Sequence, residues 1–166
     1  MSASECDAAP PGYWASPGSS EASQCGGASF YCTGSGTSQP TLVQTGYMST
    51  PTDGPETERT GETECPLGMW CSAGIGISCE VGYYSGNLPA ANRTSQDVCK
   101  PCPANSTTSQ QGRYAITQCV CRVGYYTSTP DGLVHGEGDC LVCPDGTECI
   151  EPARARGRVG SMQREH

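Results

Sequence analysis

Cysteine constrains this chain more than any other residue: 13 of them are spread over 166 positions, in a sequence whose Leu, Ile, Val and Phe together number only 18. So little apolar side chain cannot build a helical bundle or a doubly wound sheet, and the shortfall points to a small fold held by disulfides. Gly and Pro add 22 and 13 residues, which supply turns rather than long regular elements. No stretch carries a 3.6-residue apolar period, and none is an 18-residue apolar run of the kind that crosses a membrane.

The net charge is −8, unevenly placed. Residues 1–150 hold 15 acids against 5 bases, whereas residues 151–166 hold 2 acids against 4 arginines. An acidic body does not displace counterions from phosphate, so nucleic acid is excluded as an expected partner. The basic tail with Arg154, Arg156 and Arg158 reads as a solvated end. Asn92-Arg93-Thr94 and Asn105-Ser106-Thr107 both fit the N-glycosylation acceptor pattern. Together with the cysteines they place the chain at the cell surface or outside the cell, with N-linked glycans and no other cofactor expected. Met1 to Cys6 contain no apolar leader core, so the expectation is a fragment, a mature form or an incomplete gene product.

The chain repeats. Gly12-Tyr13-Trp14, Gly46-Tyr47-Met48, Gly82-Tyr83-Tyr84 and Gly124-Tyr125-Tyr126 follow one another at spacings of 34, 36 and 42 residues. Each is followed by a polar loop and a cysteine cluster, and Cys-Pro-x-Gly-x-x-Cys at Cys65–Cys71 returns at Cys143–Cys149. The units divide as an N-terminal cysteine-rich repeat at 1–44, a second with an acidic loop at 45–78, two closely similar ones at 79–120 and 121–150, and the tail at 151–166. Short hairpins and loops strung out as an elongated array, with little or no helix, are expected, each unit touching only its neighbours. Tyr114 to Val120 and Arg122 to Thr127 read as a strand pair pinned by Cys119 and Cys121.

Cys79-Glu-Val-Gly-Tyr-Tyr, Cys99-Lys-Pro-Cys102-Pro-Ala-Asn-Ser and Cys119-Val-Cys121-Arg-Val-Gly-Tyr-Tyr, followed by Cys140, resemble the EGF-like cysteine-rich repeat of ephrin receptors and related extracellular proteins. The resemblance covers residues 65–149 well and 6–64 loosely. It implies a non-catalytic spacer or interaction module. It also implies bridges from Cys79 to Cys102, Cys99 to Cys119 and Cys121 to Cys140, with Cys143 and Cys149 closing a small loop of their own. Cys6, Cys25, Cys32, Cys65 and Cys71 then remain, an odd number that leaves one free thiol or one bond to another chain.

Other chemistry has weaker footing. Cys99-Lys-Pro-Cys102 and Cys140-Leu-Val-Cys143 have redox or zinc spacing, but no strand–helix frame surrounds them and Cys119 and Cys121 lie between. His135 sits in a Gly-rich loop and His166 at the terminus, outside any recognisable acid–base setting, so no enzyme is expected. The run Asp53, Glu56, Glu58, Glu62 and Glu64 lacks the alternation of a calcium loop. The aromatic steps read first as packing beside the disulfides, with the preceding glycine permitting a tight turn, and the alternate members Trp14, Met48, Tyr84 and Tyr126 are the candidates to face outward as interface residues. The reading is a glycosylated spacer, or a subunit of a coat or filament that self-associates; the alternative is a ligand-binding or adhesion ectodomain fragment of a receptor.

Overall fold

The computed structural model describes residues 8–34, 36–145 and Cys149; Cys6, Gly146, His166 and the basic tail lie outside them. Among the described residues the backbone forms seven two-stranded antiparallel hairpins, and its helices are three-residue 3-10 turns. This is the small disulfide-rich architecture of short hairpins that the cysteine content predicts.

The first hairpin joins β1 (Tyr13–Trp14) to β2 (Ser23–Gln24), and the second joins β3 (Phe30–Tyr31) to β4 (Thr41–Leu42). The third pairs β5 (Tyr47–Thr50) with β6 (Gly61–Glu64), and the fourth pairs β7 (Met69–Ser72) with β8 (Ile75–Ser78). The fifth is β9 (Tyr83–Tyr84) with β10 (Lys100–Pro101), and the sixth is β11 (Ser106–Thr108) with β12 (Cys119–Cys121). The seventh pairs β13 (Tyr125–Thr127) with β14 (Cys140–Val142).

The repeated Gly-Tyr step is a turn. The Tyr47 N–H donates to the Gln44 carbonyl at 3.0 Å, and Tyr13, Tyr83 and Tyr125 donate likewise to Pro10, Glu80 and Arg122. Such a turn needs a left-handed residue at its third position, and glycine takes that conformation without steric cost: Gly46 has φ +83°. The carbonyl of the left-handed residue is then bound by an N–H just beyond the return strand, as in Cys65 to Gly46 at 2.8 Å and Cys102 to Gly82 at 2.8 Å. The turn therefore starts each hairpin and also receives its far end.

Because the left-handed turn only redirects the chain, the expected pairing of Tyr114–Val120 with Arg122–Thr127 does not form. Ile116–Gln118 is a 3-10 turn, β12 pairs backwards with β11, and β13 pairs forwards with β14. Two-residue hairpins form across turns of the opposite hand, whose twist matches the strands. Among the described residues the fourth hairpin has such a turn, with Ala73 and Gly74 at φ +51° and +77° between β7 and β8, and the other ladders span longer loops.

A two-stranded hairpin is marginal alone, so these lean on one another. The loop of a later hairpin lies across an earlier one: Cys32 N–H donates to the Arg59 carbonyl at 2.9 Å, Cys71 to Arg93 at 2.8 Å and Ser85 to Arg113 at 3.0 Å. Hairpins two apart also meet. The Tyr13 hydroxyl donates to Glu58 Oε1 at 3.1 Å, and a Cβ on Gly46 would overlap the Ala90 carbonyl.

Among the described residues the buried apolar side chains are mostly cysteines. Cys25, Cys32, Cys65, Cys71, Cys79, Cys119, Cys121 and Cys140 are buried beside only four other apolar residues, Ala9, Ala28, Val98 and Val134. One cluster gathers Cys119, Cys121, Cys140 and Val134, with Tyr84, Cys102 and Tyr125 packed against it.

The bridges correct the pairing that the EGF-like resemblance implies. Cys79 bonds Cys99 and Cys102 bonds Cys119, in place of Cys79 with Cys102 and Cys99 with Cys119. Cys121–Cys140 and Cys143–Cys149 form, and Cys25–Cys32 and Cys65–Cys71 complete the set of six. The reason is the ladder register: the fifth, sixth and seventh hairpins each bring the cysteine before the turn to a Cα–Cα distance of 5.5 to 5.9 Å from one on its own return strand or, for Cys99, directly before it, within bonding range. A crossed order would tie each hairpin to the next one.

Candidate glycosylation and interaction surface

The acceptor asparagines stand at two different kinds of place. Asn92 ends the 3-10 turn Ala90–Asn92 and is exposed, while Arg93 beside it is buried and gives its carbonyl to the fourth hairpin. Asn105 is exposed at the third position of the turn that opens the sixth hairpin, with φ +62°. Among the described residues it is one of two non-glycine residues in the left-handed region, the other being Ala73. Asparagine is among the few side chains that accept this conformation. Both amide groups face solvent with no side-chain hydrogen bond among the described residues, so a sugar on either displaces nothing.

The aromatic steps divide unevenly. Trp14 and Tyr126 are half-buried. Met48 packs on the fourth hairpin, its sulfur 2.8 Å from where a Cβ on Gly76 would lie. Tyr84 packs against the Cys119–Val134 cluster, which leaves Tyr83, 41% exposed, as the outward ring of that pair. Tyr114 is equally exposed and shares an apolar groove with Leu67, Tyr84 and Ile116. In the last unit it is Tyr125 that joins the cluster.

The residues weighed for chemistry are occupied otherwise. Cys99 and Cys102 bond away from each other, and so do Cys140 and Cys143, so neither pair is a dithiol or half of a zinc site. In the acidic run, Glu58 accepts from Tyr13 and Gln24, and Glu62 accepts from the backbone and side chain of Gln44. These carboxylates pin loops. Asp131 holds its own loop through the Leu133 N–H at 3.1 Å and His135 Nε2 at 2.7 Å. The backbone hydrogen bond first, and His135 second, keep its carboxyl below the ordinary range.

Sequence reasoning passed over the buried arginines. Arg59 is 7% exposed and Arg93 5%, and both keep guanidinium N–H atoms buried without an acceptor. The signal was present: Pro-x-x-x-Arg-Thr occurs at 55–60 and again at 89–94. In the seventh hairpin the residue four after Pro130 is Val134, fully buried. An apolar side chain at that place marks the arginines as packing plates rather than ion-pair partners.

No protein-family profile matches the chain, and no solved structure does. A curated protein does: the chain is 29% identical over 160 residues to cysteine repeat modular protein A of Toxoplasma gondii. The match takes in 85% of this chain and 5% of that protein, so the chain spans a small part of its relative's length. With the six disulfides, this likeness supports a cysteine-rich repeat module of an extracellular or secreted kind, and a non-enzymatic one. Among the described residues no helix is long and apolar enough to cross a membrane.

Proposed function

We propose that this chain is a structural segment of an extracellular repeat protein: a disulfide-stapled, N-glycosylated array of ephrin-receptor-like hairpin units that acts as a spacer or as a subunit of a surface coat or filament. The observation that carries the reading is that each long bridge closes its own hairpin. Such an array gains length by adding units without enlarging a core, and its stability is local at every unit. The oxidising compartment follows from the same feature, because reduced thiols would leave the hairpins without closure. Sugar at Asn92 and Asn105 and contacts through Trp14 and Tyr126 belong to the same proposal. Tyr83 and Tyr114 join them as exposed rings suited to contact.

Sedimentation of the purified, oxidised protein over a wide concentration range tests the subunit role. Self-association that Trp14→Ala or Tyr126→Ala weakens supports it. A chain that stays monomeric throughout contradicts the subunit role and favours a spacer or a receptor ectodomain fragment.

A further inference from the structure

The turns opening the fourth and sixth hairpins are the same turn with one residue changed. Cys65-Pro66-Leu67-Gly68 and Cys102-Pro103-Ala104-Asn105 share their first two residues. The Met69 N–H donates to Pro66 at 3.2 Å, and the Ser106 N–H donates to Pro103 at 3.1 Å. The fourth residue is left-handed in both, φ +83° at Gly68 and +62° at Asn105. Its carbonyl accepts from beyond the return strand in both, from Cys79 at 2.8 Å and from Arg122 at 2.9 Å.

The surroundings differ. Gly68 lies under the loop of the sixth hairpin so closely that a Cβ would overlap the Gly112 carbonyl, and the Gly112 N–H bonds the Cys79 carbonyl at 2.9 Å. Only glycine permits that layer. Asn105 is exposed, and a loop laid over it as closely as Gly112 lies over Gly68 would meet its Cβ. The same side chain heads an acceptor sequence, Asn105-Ser106-Thr107.

We infer that an N-linked oligosaccharide on Asn105 takes, on the sixth hairpin, the place of the protein layer that covers the fourth, and so ends the stacking of hairpins on this side of the array. The inference rests on the secreted, glycosylated reading above and adds a position and a role to it. A hydrated sugar covers the turn without the backbone approach that glycine allows. The next unit of an array must then attach elsewhere, which gives the array a defined break.

The test uses the full chain secreted from a glycosylating eukaryotic cell, mapped by glycopeptide mass spectrometry before and after N-glycosidase treatment of the native protein. Asn105 is expected to carry sugar and to lose it from the folded protein about as fast as from the denatured one. Gly68→Asn is the second arm. Asparagine tolerates the left-handed turn, so this variant isolates the contact with Gly112 from backbone strain, and it should lower the secreted yield by at least about tenfold while Asn105→Gly stays within about twofold of the parent. Asn105 bare with Asn92 occupied overturns the inference and leaves the broader reading standing. Both bare overturns both. Sugar at Asn105 that the enzyme cannot reach in the native protein, or Gly68→Asn secreted at the parent level, also overturns the inference.

Discussion

Thr127 and Cys140 face each other across the seventh hairpin, and the Cys140 sulfur reaches behind the turn to Cys121. Thr108 and Cys119 repeat this in the sixth hairpin, where Cys119 reaches back to Cys102. In each case the anchoring cysteine stands three residues before the left-handed residue. Cys65 stands there too, three before Gly68, yet it bonds Cys71, three residues after it. Position +3 is thus cysteine in the short bridge, threonine in the long bridges of the sixth and seventh hairpins, and Ser85 in the fifth, three after Gly82. One frame accepts either bridge, closing 6 residues as in Cys65–Cys71 or 17 to 19 as in the later hairpins.

That interchange is testable in the seventh hairpin. Removing Cys121 and Cys140 together, each to Ala, should cost roughly 3 kcal/mol in denaturant unfolding, the chain-entropy value for a loop of this length. The double change Thr127→Cys with Cys140→Ala should leave Cys121 bonded to the thiol introduced at position 127 and restore roughly 2 kcal/mol of it. A non-reducing peptide map reads the new bond directly, and its absence would show that the frames differ.

The arginines give a second prediction. Arg59 lies among Met48, Met69 and Ile75 with N–H atoms that find no acceptor. A buried unpaired N–H costs about 1–3 kcal/mol, so an apolar side chain of similar length forfeits little. Arg59→Met should therefore change the unfolding free energy by less than about 1 kcal/mol, whereas Arg59→Ala, which leaves a void, should cost about 2–3 kcal/mol. Equal losses in the two variants would mean that the charge itself stabilises the site.

The seventh loop has a pH signature. The Asp131 carboxyl is held below its ordinary value of 3.8 by the Leu133 N–H and by His135. A carboxylate whose folded value is lowered contributes its stabilisation above that ordinary value and loses it as pH falls through the lowered one. NMR titration of the Asp131 side chain should give a midpoint under 3.8, with the Leu133 amide shifting in step. A midpoint at or above that value would contradict the loop geometry.

The composition made the fold class legible, because 18 large aliphatic and Phe residues against 13 cysteines leave few alternatives. The Gly-Tyr steps were legible as repeat marks and as tight turns, and Gly46 serves such a turn; which ring of each pair faces in was not legible, because it is set by the neighbouring hairpin. Tyr84 packs against the cluster of Cys119, Cys121, Val134 and Cys140, residues 35 to 56 positions further on, a contact that no local pattern encodes. The order of the bridges was illegible for a related reason. Cysteine spacing is compatible with crossed and with successive pairing, and the choice is made by strand register, which depends on where each turn begins. Asn105 was legible as an acceptor but not as the counterpart of Gly68, because the equivalence appears only when both are seen in the same turn.

Each long bridge closes its own hairpin, and a disulfide map of the native protein reads that pairing out. Free thiols are blocked first, the chain is cleaved without reduction, and linked peptides are sequenced by mass spectrometry. The expected peptides join Cys79 to Cys99, Cys102 to Cys119 and Cys121 to Cys140, with Cys25–Cys32, Cys65–Cys71 and Cys143–Cys149 as the short bridges. Peptides joining Cys79 to Cys102 and Cys99 to Cys119, or blocked thiols among these twelve cysteines, would contradict it.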